Sequence, residues 1–124
     1  MKKKRILIVD DERNFTQLIK LNLEETGRFE VFMENRGATC LSTAKKFRPN
    51  LILLDIIMPD VEGSMVAVQL RNDPKTKNIP IVFLTVAAKK EEVARGGGRI
   101  AGYPFIAKPV SLQELVGVIE ENIR

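Results

Sequence analysis

Histidine and tryptophan are absent from this sequence, and cysteine occurs once. Without histidine the chain cannot build a Ser-His or Cys-His nucleophile, so any phosphohistidine in its chemistry belongs to another protein. The single cysteine, Cys40, cannot close an internal disulfide, which fits a reducing compartment. On a predicted helix it reads as packing rather than as a redox sensor. No stretch has the unbroken apolar length that a membrane span requires. The basic start MKKKR runs through the short ILIV into two aspartates rather than a small-residue cleavage site, so no secretory signal is expected. The expected location is the cytoplasm.

The 124 residues suit one domain, 1–124, with 44% hydrophobic and 29% charged residues, as in an ordinary soluble globular protein. A net charge of +4 raises the question of nucleic acid. Lys2, Lys3, Lys4 and Arg5 read instead as a solvated lead-in to the first strand, since no aromatics interleave with them to stack on bases. Direct nucleic-acid and membrane partners are not expected.

Short apolar runs alternate with longer amphipathic ones. Residues 6–9, ILIV, form a buried strand; Phe15, Leu18, Ile19 and Leu23 follow at helical spacing, with Gly27 as the stop. Residues 30–33 make a weaker second strand. Ala38, Leu41 and Ala44 mark a helix that ends before Pro49, and LILLD from Leu51 is a third strand covered on both faces. A helix over 64–71 leads through NDP to a fourth strand over 79–85. A helix starting over 89–95 runs into Gly96, Gly97 and Gly98, which predicts a short helix and a mobile segment that orders on phosphorylation. Residues 105–107 make the fifth strand. The last helix starts at a capping box, Ser111 with Glu114, flanked by the staple pair Val110 and Leu115. Five strands alternating with helices imply an α/β, doubly wound parallel sheet with helices on both faces.

Ligands in such sheets bind beyond the carboxyl ends of the strands. Those ends hold Asp10 and Asp11 after strand one, Asp55 after strand three, Thr85 after strand four, and Lys108 with Pro109 after strand five. Taken singly, Asp11 reads as a helix N-cap, Asp55 as turn chemistry, Thr85 as a strand residue and Lys108 as a solvated charge. Their joint placement points to a site. Three crowded carboxylates call for a cation, and carboxylates without histidine or cysteine suit Mg²⁺ better than zinc. Asp55, alone at the end of the most buried strand, is the candidate nucleophile toward a phosphoryl group. Asp10 and Asp11 would hold the metal, and Lys108 and Thr85 would bind the oxygens carrying transferred charge.

VDD at 9–11, DIIMPDVEG at 55–63, LT at 84–85 and KP at 108–109 appear in this order. With these motifs the whole chain resembles a receiver domain of bacterial two-component response regulators, of the chemotaxis-regulator type. The resemblance implies a flavodoxin-like five-stranded sheet in the order 2-1-3-4-5 and Asp55 as phosphoacceptor. Direct Mg²⁺ ligands would come from Asp11, Asp55 and the backbone carbonyl of Ile57, with Asp10 acting largely through water. It also implies Thr85 and Lys108 as phosphate contacts, a cis bond before Pro109, and Thr85 with Phe105 as the switch pair; Tyr103 is the rival aromatic. Implied partners are a sensor histidine kinase or phosphotransfer protein and an output protein or effector domain, and a phosphorylation-dependent dimer is compatible with it. Such a module shares in the chemistry of its own phosphorylation without turning over a metabolic substrate. No effector domain follows the last helix, so the chain reads as a stand-alone receiver or an excised one.

The sequence departs from the family pattern in three places. Val86 stands where many receivers have a small residue and could narrow access to Asp55. Ile57 and Ala87, two residues beyond Asp55 and Thr85, are apolar and cannot orient a hydrolytic water, which predicts a long-lived phosphoryl state. GGGRIAGYPF replaces the usual approach to strand five. Two other classes remain as alternatives. A phosphohydrolase with an aspartate nucleophile, resembling the haloacid-dehalogenase family, would need Asp-x-Asp after strand one, where this chain has Asp10, Asp11 and Glu12. A flavodoxin-like FMN binder would need hydroxyls and amides where the acids here repel phosphate.

Overall fold

The computed structural model describes residues 2–86, 99–100, 102–108 and 110–123, with the backbone alone for Thr85, Val86, Arg99 and Ile100. The strands are β1 (Lys4–Val9), β2 (Phe29–Glu34), β3 (Leu51–Asp55), β4 (Ile81–Val86), β5 (Arg99–Ile100) and β6 (Tyr103–Lys108). Among the described residues the α-helices are α1 (Arg13–Glu25), α2 (Cys40–Phe47), α3 (Gly63–Arg71) and α4 (Leu112–Asn122). The expected helix start over 89–95, the glycine run 96–98, Ala87 and the bond before Pro109 lie outside the described residues.

Five parallel strands follow the order β2-β1-β3-β4-β6, the expected 2-1-3-4-5 arrangement. One short element was not foreseen. β5 pairs antiparallel with the start of β6, Arg99 with Pro104 and Ile100 with Tyr103, through a turn in which Gly102 takes φ 87°. That conformation is open to glycine at no steric cost.

The unbroken apolar runs are explained by cover on both faces. In β1, Ile6 and Ile8 pack with Ile19 and Leu23 of α1 and Leu115 and Ile119 of α4. Leu7 and Val9 point the other way, onto Cys40 and Ala44 of α2 and Val66, Ala67 and Leu70 of α3. β3 divides the same way, Leu51 and Leu53 against Ile52 and Leu54, and all five of its residues are buried. Each fully buried Leu or Ile contributes about 1.5–3 kcal/mol.

The helix boundaries have local causes. Gly27, at φ 79°, closes α1 with its N–H on the Glu24 carbonyl at 3.0 Å. Leu18 does not share the buried stripe: Thr16, Ile19 and Leu23 define that face, which leaves Leu18 54% exposed. Ala38 falls in a single 3-10 turn, Gly37–Thr39, ahead of α2, and Arg48 in the left-handed region at φ 53° ends that helix. Ser111 caps α4 by accepting the Glu114 N–H at 3.1 Å. Its hydroxyl donates to the Glu114 carboxylate, and Val110 packs into the same cluster as Leu115.

β2 is one outer strand of the sheet, with β5 at the other edge, and side chains of α1 reach the open side of β2. The Val31 N–H donates to Glu24 Oε2 at 3.0 Å, the Val31 carbonyl accepts from Lys20 Nζ at 2.7 Å, and Lys20 and Glu24 pair at 2.9 Å. Backbone groups that an edge strand would otherwise present to a neighbour are engaged here by side chains.

Candidate functional site

The carboxyl ends of β1 and β3 bring Asp10, Asp11 and Asp55 together, with one carboxylate oxygen of each lying within 4.8 Å of the others. Asp10 has 0% exposure and Asp55 6%, whereas Asp11 is exposed. β6 ends on Lys108, whose ammonium pairs directly with Asp10 and stands 3.7 Å from Glu12 and 3.9 Å from Asp55. The Lys108 side chain is only 12% exposed, which sets aside its reading as a solvated charge. Nor does Asp11 cap α1: Glu12 occupies the N-cap position, and its N–H donates to Asp10 Oδ1 at 3.0 Å.

The electrostatics follow from crowding in a dry place. Burial, reinforced by Asp10 and opposed by Lys108, pushes the Asp55 carboxyl up from 3.8 to about 6. Burial also raises Asp10, against the hydrogen bonds from Lys108 and from Glu12 N–H. For Lys108, burial works against the charge, yet the hydrogen bond and attraction of Asp10, with Asp55 and Glu12, hold its ammonium above the usual lysine value. Among the described residues one ammonium, Lys108, faces Asp10, Glu12 and Asp55 in a cluster that also holds Asp11, so acids outnumber cations there. These hard oxygen donors fit Mg²⁺, which takes a few carboxylates and keeps waters. The chain's one thiol, Cys40, is buried in α2, away from a role as a soft ligand.

The remaining expected residues are placed as follows. Ile57, in the loop after β3, has a 51% exposed side chain, and its N–H donates to the Asp55 carboxylate. Thr85 pairs with Ala107 in the sheet, one position beyond the pairing of Asp55 with Leu84. Phe105 and Tyr103 are both half-buried against the α2–α3 side of the core. Tyr103 lies edge-on to Phe83 at 5.6 Å, with the Arg71 guanidinium 5.8 Å over its ring.

Several supporting residues escape sequence reasoning. Asn35 Nδ2 donates to the Asp10 carbonyl at 2.8 Å and to Thr16 Oγ1 at 3.0 Å, fastening the end of β1 to α1. The Phe15 ring lies 4.5 Å beneath the Lys108 ammonium. Gly63 is demanded by close approach: a Cβ there would stand 2.1 Å from the Asp55 carbonyl oxygen and 2.9 Å from Ile56 Cα. Its N–H closes the loop onto the Ile56 carbonyl at 2.7 Å. The glycine at the end of DIIMPDVEG was the available signal, and the unforgiving contact was not visible in it.

Comparison with known proteins agrees with this arrangement. The family model for the response regulator receiver domain matches residues 6–120. The polar-differentiation response regulator DivK of Brucella anthropi is 34% identical over 122 residues, covering 97% of this chain and 96% of that protein. Other curated relatives are longer, and the chain spans about half their length. The chemotaxis response regulator CheY4 of Vibrio cholerae superposes with a TM-score of 0.81 at 25% identity, over 97% of this chain and 98% of that one. The receiver domain of the sensor histidine kinase PA1611 from Pseudomonas aeruginosa, solved with a magnesium ion coordinated in its active-site cleft, gives 0.81 at 24% identity, over 97% of each chain. With the acids and the lysine gathered at the strand ends and the family match spanning nearly the whole sequence, the chain belongs to the response regulator receiver domain family of two-component signalling.

Proposed function

We propose that this receiver accepts a phosphoryl group on Asp55 from the phosphohistidine of a sensor kinase or phosphotransfer protein. The observation that carries the proposal is the placement of Asp55: a nearly buried carboxylate at the mouth of β3, 3.9 Å from the Lys108 ammonium and clustered with Asp10 and Asp11. Asp55 and Asp11, with the Ile57 carbonyl, would hold Mg²⁺ directly, and Asp10 would act largely through water. When bound, the ion neutralises charge on the phosphoryl oxygens and lets Asp55 stay ionised. One Asp55 oxygen forms the new bond to phosphorus as the bond from phosphorus to the donor nitrogen breaks, and the electron pair leaves with the imidazole. Lys108, paired with Asp10, set over the Phe15 ring and 3.9 Å from Asp55, would pair with the incoming anion. The Thr85 hydroxyl and Phe105 form the proposed switch, which presents an altered surface to an output partner.

Acetyl phosphate tests this without a kinase. With Mg²⁺ present, intact-mass measurement should show one phosphoryl group added to the wild type and none to Asp55→Asn. A wild type that stays unmodified overturns the reading.

A further inference from the structure

The loop over 56–62 carries the Ile57 carbonyl and follows directly on Asp55; its two ends are tied to the frame, the Ile56 N–H to the Leu84 carbonyl at 3.1 Å and the Glu62 carbonyl to the Val66 N–H at 3.2 Å, and the stretch between them needs other support. From inside it is fixed by the buried Met58, and at its end by the close approach of Gly63. Its outer side is fixed by Asp60, whose carboxylate accepts the Ala38 N–H at 2.8 Å and the Gly37 N–H at 3.3 Å. Those amides open the 3-10 turn after β2. Arg36, at the N-cap position of that turn, makes no side-chain cap, so an acid from another loop supplies the missing acceptor. The fit is close: a Cβ on Gly37 would meet Val61 Cγ1 at 2.5 Å and Met58 Cε at 2.9 Å. Asp60 is itself exposed, so its loss leaves the core beneath intact.

We propose that Asp60 is a positioning residue of the phosphoryl site: by clasping the Gly37–Thr39 turn from the far side of the loop, it fixes where the Ile57 carbonyl and Asp55 stand toward Mg²⁺. The proposal rests on the phosphoacceptor reading above. It assigns to an exposed acid, outside the cluster of Asp10, Asp11 and Asp55, a share in metal affinity.

Calorimetric Mg²⁺ titration of the full chain tests it. Asp60→Ala should weaken Mg²⁺ binding about tenfold, the lower end of what lost outer support costs a metal site. Its thermal midpoint in EDTA should fall by no more than the few degrees that one lost cap costs, with the chain still folded at the titration temperature. Phosphate uptake from acetyl phosphate should slow at low Mg²⁺ and recover at saturating Mg²⁺, a split that a general loss of folding would not produce. Asp60→Asn keeps one acceptor oxygen and should fall between, with the Ala38 amide proton moving upfield in the NMR spectrum as its carboxylate partner is lost. If Asp60→Ala does not fold, Asp60→Asn decides by the same titration. Mg²⁺ affinity equal to wild type in the folded variant overturns the positioning role, while the function stands if only Asp55→Asn loses phosphate uptake. A wild type that neither binds Mg²⁺ nor takes phosphate overturns both.

Discussion

Asp55, the proposed phosphoacceptor, carries its carboxyl in a place that disfavours charge. Its carboxyl titrates near 6 in the metal-free fold against about 3.8 when unfolded, because it is buried beside Asp10. Between those values the folded chain keeps a proton that the unfolded chain has lost, so stability falls as pH rises through the window and stays low above it. The penalty is about 3 kcal/mol at most. Asp55→Asn should therefore unfold at higher urea than wild type at neutral pH in EDTA, with the difference shrinking toward pH 4 in a denaturation series. Cys40 is the contrasting case: burial, aided by Glu34, pushes its thiol up to about 12. It should resist maleimide at mildly alkaline pH until the chain is unfolded, as a free-thiol assay with and without denaturant would show. Gly63 has no tolerance for a side chain, since its neighbours are backbone atoms. Gly63→Ala should cost at least about 2 kcal/mol in urea denaturation. The apolar Ile57 side chain cannot orient a water, so Ile57→Asn should shorten the lifetime of the phosphorylated form, measured by decay of the phosphorylated mass.

At the level of elements, legibility followed how local the cause was. β1 and β3 were readable because strands buried on both faces lose polar alternation, and the α4 start was readable because Ser111 and Glu114 interact within one turn. Ser111→Ala should lower stability by about 1 kcal/mol in thermal or urea denaturation, reading out that single cap. β5 left no trace in the sequence: two residues carry no period, and their pairing exists only through β6. The expected span of α2 began too early because Ala38 continues the apolar spacing, while Asp60 holds its amide in a tighter turn. Likewise Leu18 has the right residue type for a core position and the wrong angle around α1.

For the molecule as a whole, the acids and the lysine could be named from strand ends because a parallel sheet delivers all those ends to one face. Their supports could not. Asn35, Phe15, Asp60 and Gly63 take their roles from neighbours distant in sequence, and nothing in their local pattern announces those neighbours. Lys20 and Glu24 were equally silent, an ordinary pair four residues apart until the fold lays them along Val31. Where they lie, the β2 rail of the sheet offers no vacant amide or carbonyl at Val31, its midpoint. Crowded molecules should slide past one another at that rim rather than stitch together into fibres. With Lys20 and Glu24 both changed to alanine, light scattering should reveal self-association rising with concentration, because two side chains of one helix would no longer keep the rim shut.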